Sequence, residues 1–251
     1  MSFIQRKELK SNFGIILGNR DVFPDHLVKE GRKDIIDVIS ELGYHYVILN
    51  EEDSPLGAVE TYSDAKKCAE LFKKNSDKIL GIILCLCNFG DEKAVANTLK
   101  LSNLNVPVLI QASSDEIDKM DRKNRRDAFC GKISVTSVLY QYGIPFTLTK
   151  SHTCDIKSEL FKEDLRRFDK ICKIVWKLRN ARLGQIGTRP TAFNTVRYSE
   201  KILEFNGISI EPIDLSEILG YINNLNGNEP KIKEKMDFIR NYISTAQIPN
   251  P

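Results

Sequence analysis

The stretch Asn124–Leu148, NRRDAFCGKISVTSVLYQYGIPFTL, divides a strand-helix repeat before it from a second, shorter one after it. From Gly131 to Tyr142 the apolar side chains Ile133, Val135, Val138, Leu139 and Tyr142 recur at mixed three- and four-residue steps, which predicts a largely buried helix. Gly143 closes it, because glycine tolerates the left-handed conformation that follows a last helical residue, and Pro145 forces the chain out in extended form. A strand over Phe146–Thr149 follows. Its exit carries His152, Thr153, Cys154 and Asp155, at the edge where open parallel sheets hold their ligands. The plainer reading of His152, as a loop histidine with a local hydrogen bond, outweighs that one.

Working back from this stretch, Phe13-Gly14-Ile15-Ile16-Leu17-Gly18 is a short continuous apolar run, the pattern of a strand buried on both faces. A loop leads to a helix from about His26 to Leu42, with Asp25 as its expected N-cap. Tyr46–Leu49, Ile79–Cys87 and Val106–Ile110 complete the strands before the central stretch. Between them, Thr61 and Asp64 make a variant of the capping box ahead of a helix carrying Ala65, Cys68, Ala69 and Phe72. Strands alternating with helices at this spacing predict an α/β fold with an open, doubly wound, mostly parallel sheet of the Rossmann or flavodoxin type. No glycine-rich phosphate fingerprint follows the first strand, which disfavours a dinucleotide site.

Beyond the centre, a long helix over Glu159–Arg179 separates residues 1–177, a first α/β domain, from residues 178–251, the beginning of a second. In the latter, strands at Leu183–Ile186 and Ile208–Ile213 flank a helix from Asn194 to Phe205, and helices follow around Leu215–Ile222 and Lys231–Ile243. Two strands cannot bury a sheet of their own, so this unit reads as unfinished and in need of a partner surface.

The composition is that of an ordinary soluble protein, with 41% hydrophobic and 28% charged residues over 251 positions. Lys plus Arg number 37 against 34 Asp plus Glu, a net charge of +3 with the signs interleaved, so nucleic acid is not implied. The densest basic run, Arg122–Arg126, is bracketed by Asp121 and Asp127 and reads as a solvated loop or helix end. No segment approaches a membrane span, and six cysteines without zinc spacing fit a reducing, cytoplasmic setting. The acidic clusters Glu51-Glu52-Asp53 and Asp115-Glu116 read as solvation.

At the carboxyl ends of successive strands lie Asn19-Arg20-Asp21, Asn88-Phe89-Gly90-Asp91, Gln111 and His152, a polar set that a doubly wound sheet brings to one edge. Arg20 offers a planar fork of donors to a hydroxyl or carboxylate, and Phe89 a stacking face to a sugar ring. Arg189, read at a helix start, and Asn194 are further candidates for an anionic or hydroxylated ligand. No nucleophile elbow, Cys-His pair or metal-spaced histidine is present, so no catalytic residue and no metal ligand is assigned.

The segments Leu17-Gly18-Asn19-Arg20-Asp21, Phe23-Pro24-Asp25-His26, Gly57–Thr61, Asn88–Glu92, Asn124–Lys132 and Arg189–Arg197 resemble the L-fucose isomerase-like family. The resemblance implies a metal-dependent aldose-ketose isomerase of carbohydrate metabolism, with two α/β N-terminal domains, a C-terminal domain and commonly Mn2+. It implies that this chain is the first domain plus the opening of the second. The acidic and histidine metal ligands would then lie outside it, and the chain would be inactive alone. Arg20 and Phe89, with Asn88, Arg189 and Asn194, are the expected substrate-binding positions. The expected partners are an aldose or ketose and either further copies in a homo-oligomer or a complementing C-terminal chain. A non-catalytic sugar-binding or oligomerisation module of the same fold is the competing expectation.

Overall fold

Seven strands and eight α-helices are ordered along the chain in the computed structural model, which describes residues 11–227 and 229–242. The first 177 residues supply β1 (Asn12–Gly18), α1 (Asp25–Glu41), β2 (His45–Ile48), α2 (Tyr62–Lys74), β3 (Gly81–Leu86), α3 (Glu92–Ser102), β4 (Val108–Ala112), α4 (Ala128–Gln141) and β5 (Thr147–Leu148). Helix α5 (Glu159–Arg179) then closes the sheet. The strand order is β2-β1-β3-β4-β5 and every pairing is parallel, so the expected mostly parallel sheet is wholly parallel. This is the flavodoxin-like order of doubly wound folds.

Side chains alternate across the pleat and build two cores. Phe13, Ile15 and Leu17 point to the layer that holds Val28 and Ile35 of α1 and Phe161, Leu165 and Phe168 of α5. Ile16, Ile82 and Leu84 point the other way, to Phe72 of α2, Val95 of α3 and Val135 and Leu139 of α4. Burial on both faces is why β1 and β3 read as continuous apolar runs rather than alternating ones.

Several boundaries differ from their sequence-based expectation, each for a physical reason. Asp25 is the first residue of α1 rather than its cap; Pro24 takes the cap position, and no side chain bonds there. The capping box of α2 is complete, since Thr61 accepts from the Asp64 amide while Asp64 accepts from the Thr61 amide. Helix α4 begins three residues before Gly131, because Asp127 adopts a left-handed φ of 52° and turns the chain into the helix early. Ile133 and Tyr142, expected inside, are 56% and 41% exposed. Gly143 does end the turn at φ +66°. Strand β5 keeps only Thr147 and Leu148 of the expected four residues.

The chain divides between Lys177 and Leu178. In the second unit, β6 (Arg182–Ile186) and β7 (Ser209–Ile213) form a parallel pair with α6 (Glu200–Phe205) between them, and α7 (Leu215–Asn223) and α8 (Pro230–Tyr242) follow. The expected helix from Asn194 is a single 3-10 turn, Asn194–Val196, followed by the short α6. Not one of this unit's described residues is buried, although parallel strands are ordinarily covered on both faces. No helix among the described residues is long and apolar enough to cross a membrane.

Candidate functional site

In a sheet ordered 2-1-3-4-5, connections leave β1 toward opposite sides, and the crevice between the carboxyl ends of β1 and β3 is the switch point where ligands settle. Asn19 and Arg20 leave β1 there, and Asn88 and Phe89 follow β3. Asn88 Nδ2 donates to Asn19 Oδ1 at 2.7 Å, Asn19 Nδ2 donates to Glu60 Oε2 at 3.0 Å, and the Gly90 amide donates to Asn88 Oδ1 at 3.0 Å. Both asparagines are buried. Their amides lock three loops together, and the third is the chain after β2, which pairs with β1 at Gly18 and Val59. Partial burial raises the Glu60 carboxyl above its ordinary value, against a smaller opposing pull from the Asn19 hydrogen bond.

On this frame stands a layered stack. The Arg20 guanidinium lies 4.8 Å from the Phe89 ring centroid, Phe89 stacks on Phe23 with centroids 5.7 Å apart, and the Arg125 guanidinium lies 5.8 Å from Phe23 on the Phe23 side. Cation-π contact orders both ends. Glu92 holds Arg20 from the start of α3 through an Oε2 to NH1 contact of 3.2 Å, with both side chains partly open to solvent.

The amino-terminal turn of α4 seats the Phe89 loop. Arg126 donates from NH1 to the carbonyl of Cys87 at 3.1 Å. The Asp115 carboxylate accepts the amides of Arg126 and Asp127 at 2.6 and 3.2 Å, which stabilises the left-handed residue. Gly131 lies so near the Phe89 backbone that a Cβ there would meet the Phe89 carbonyl oxygen at 1.9 Å. One residue on, Lys132 is buried with its ammonium on Thr149 Oγ1 at 2.7 Å and on the His152 carbonyl at 2.9 Å. Desolvation lowers its pKa. One helix turn thereby fixes the loops after β3 and β5 together.

A cleft of about 160 Å3 is lined by Glu30, Asp34, Asp115, Arg126 and Asp155, among others. Two of its carboxylates are engaged locally, Asp34 with Lys157 at 3.1 Å and Asp155 with the Lys157 amide at 2.7 Å. Among the described residues no three His, Cys, Asp or Glu side chains gather where they could hold a metal ion. The described residues do not fit the Mn2+ that the family resemblance implies.

Of the residues singled out from sequence, Arg20 and Phe89 stand in contact and partly open. Asn88 is wholly buried with its amide committed, so it holds the loop from beneath. Gln111 is buried as well and donates to the Cys154 carbonyl at 2.8 Å. His152 packs its ring against Phe129 with centroids 5.6 Å apart. Arg189 and Asn194 belong to the second unit, where Arg189 NH1 contacts Asn194 Oδ1 at 3.2 Å and two neighbouring carbonyls. Phe23, Arg125 and Glu60 were missed as members of the edge. Asp115 and Arg126, read as solvated, bind backbone instead. Each lies in a loop after a strand, and Phe23, Glu60, Arg125 and Arg126 also fall within the segments that resemble the family.

The architecture is thus that of a doubly wound α/β domain with an aromatic and cationic edge at its switch point. Residues 14–179 match the model of the fucose/sulfoquinovose isomerase N-terminal domain, and the chain belongs to that family. A search of curated proteins gives no match.

Proposed function

We propose that this chain is the N-terminal portion of a metal-dependent aldose-ketose isomerase of carbohydrate metabolism, and that its part is to offer the Arg20–Phe89 edge to a sugar. The observation that carries this reading is the place of that edge, at the switch point of a domain matched to the isomerase N-terminal model. An aromatic face suits the C–H face of a sugar ring, and a guanidinium fork suits its hydroxyls. A guanidinium keeps its proton at any working pH, so the edge binds and orients but does not take the proton that isomerisation moves between adjacent carbons. In this proposal the base and the divalent metal come from residues outside the chain, which is inactive alone, and the edge serves a site shared with a neighbouring subunit or a complementing chain. A cytoplasmic setting belongs to the same proposal and agrees with six unpaired thiols.

Titrating the purified chain with L-fucose and watching ligand saturation-transfer signals tests it. Phe89→Ala and Arg20→Met should each weaken binding about 5- to 10-fold, the equivalent of about 1 to 1.4 kcal/mol. Ketose formation should appear only when a C-terminal portion and Mn2+ are added. Equal sugar binding by all three chains would reject the edge, and metal-dependent turnover by the chain alone would reject the division of labour.

A further inference from the structure

The hydrogen bonds beneath the aromatic edge run in one sense. The Gly90 amide donates to Asn88 Oδ1, Asn88 Nδ2 donates to Asn19 Oδ1 and Asn19 Nδ2 donates to Glu60 Oε2, so a row that starts beside Phe89 ends on a carboxylate. Gly90 and both asparagines are buried, and Glu60 alone of the four reaches solvent. A backbone amide only donates and a carboxylate only accepts, so the two ends agree on which way each asparagine amide lies. A protonated carboxyl can donate as well, and it releases that constraint at its end. The charge matters to the whole row, because a charge-assisted hydrogen bond is roughly twice as strong as a neutral one and polarises those behind it. Glu60 is also held as a fixed end. The preceding residue, Val59, donates its amide to the Leu17 carbonyl at 2.8 Å and accepts the Asn19 amide at 3.2 Å. At the other end Gly90 holds a left-handed φ of +71°, so the turn that presents Phe89 depends on where its amide is tied.

We propose that Glu60 is a positioning residue for the sugar edge, its carboxylate acting through Asn19 and Asn88 on the turn that presents Phe89. The sugar as ligand rests on the reading above; the coupling of Glu60 to the Phe89 turn does not. Arg20 is tied separately, by Glu92, so Glu60 governs one arm of the edge. The Glu60 charge responds to pH. Burial, the largest influence, lifts its pKa above the ordinary 4.5, as do the facing carboxylates of Asp21 on the loop after β1 and Asp25 in the first turn of α1; the hydrogen bonds from Asn19 and from the Asp21 backbone oppose them. As pH rises from 4.5 through the raised value, the carboxylate forms. Its lost hydration costs stability, while its bond to Asn19 strengthens. The two consequences have opposite signs, so Phe89 should be held better, and sugar bound more tightly, over the pH range in which the melting temperature falls. A carboxylate that served the fold alone would let affinity follow stability.

Two measurements on the full chain from pH 4.5 to neutrality test it: the hydrogen-exchange protection of the Gly90 amide by NMR, and saturation-transfer titration with L-fucose. In the unaltered chain protection and affinity should rise together, each about two- to fivefold. Glu60→Gln should hold both at the lower value at every pH. Asn19→Ala should do the same, and adding Glu60→Gln to it should change nothing further, because the path is already cut. Glu70→Gln, which removes an exposed carboxylate on α2, should keep the original profile. If Asn19→Ala does not fold, the pH course of the unaltered chain against Glu60→Gln decides alone. A Gly90 amide that responds in a chain taking up no sugar upholds the positioning and rejects the sugar reading instead. Gly90 protection indifferent to Glu60→Gln overturns the proposal. So does affinity that falls with the melting temperature, or a Glu60→Gln effect that persists in the Asn19→Ala chain.

Discussion

Replacing Gly131 by alanine sets two opposed effects against each other at one position. In a helix interior exposed to solvent, Gly→Ala stabilises by about 1 kcal/mol, through the lower backbone entropy of the unfolded chain. Here the added methyl would meet the carbonyl oxygen, carbonyl carbon and Cα of Phe89 at 1.9, 2.6 and 2.8 Å. All three are backbone atoms, so no rotamer change relieves the contact. Reaching the 3.4 Å of ordinary contact from 1.9 Å requires a displacement of 1.5 Å between α4 and the loop. Overpacking in well-packed regions costs about 1 to 3 kcal/mol, and a clash against backbone belongs at the upper end. The net expectation is a loss of about 1 to 2 kcal/mol, or a fall of roughly 2 to 8 °C in melting temperature for a unit of this size. Urea and thermal unfolding followed by circular dichroism measure it. Because the strain is relieved by moving Phe89, the variant should also lose sugar binding like Phe89→Ala. Gly143→Ala is the control: a methyl there meets nothing within 4 Å, yet φ is +66°, so it should cost about 1 kcal/mol through the left-handed backbone alone and leave the edge untouched. A Gly131→Ala chain more stable than its parent would refute the close seating of α4 on the Phe89 loop.

Three further outcomes are expected. Burial raises the folded pKa of Glu60 above the ordinary 4.5, so the folded state holds that proton more tightly and stability falls as pH rises from 4.5 through the raised value; Glu60→Gln should flatten that part of the melting-temperature profile, and an unaltered profile would contradict the assignment. A thiol reagent applied to the native chain should modify Cys130 alone, because the other five cysteines are buried and burial pushes the thiols of Cys68, Cys87 and Cys172 up to about 12; mass spectrometry showing a second adduct without unfolding would count against the core as described. A fragment ending at Lys177 should unfold cooperatively by itself, as both cores are complete by Cys172, and a non-cooperative, protease-sensitive fragment would disprove this.

The sheet could be read from sequence because its strands are buried on both faces. Runs such as Phe13–Leu17 and Ile82–Leu86 carry no polar residue to confuse them with a half-exposed strand. Arg20 and Phe89 could be placed on one edge because each lies within three residues of the end of a parallel strand. Their stacking partners could not, since Phe23 meets Phe89 through tertiary packing that no local pattern encodes. Asp115 and Arg126 looked like solvated charges because their acceptors and donors are backbone groups, which leave no mark in composition. Helix α4 shows the limit of periodicity most plainly. Ile133 and Val135 are equally apolar, and only the sheet beneath decides that Val135 lies inside while Ile133 faces out.

Phe168 stacks on Phe13 with centroids 5.7 Å apart, and Ser11 hydrogen-bonds Asp169, 158 residues away. Among the described residues, the first strand to be made is therefore sealed by the last helix of its unit. Until α5 is made, only α1 covers that side of β1 and β3, and Gly81, which makes room for Cys172 and Phe168, borders an unfilled gap. Translation that stalls ahead of Glu159 releases a nascent chain whose hydrophobic flank is covered by α1 alone, a substrate for holdase chaperones and for aggregation. Codon changes that slow the ribosome just before this helix should lower the soluble yield more than the same slowing placed after Arg179.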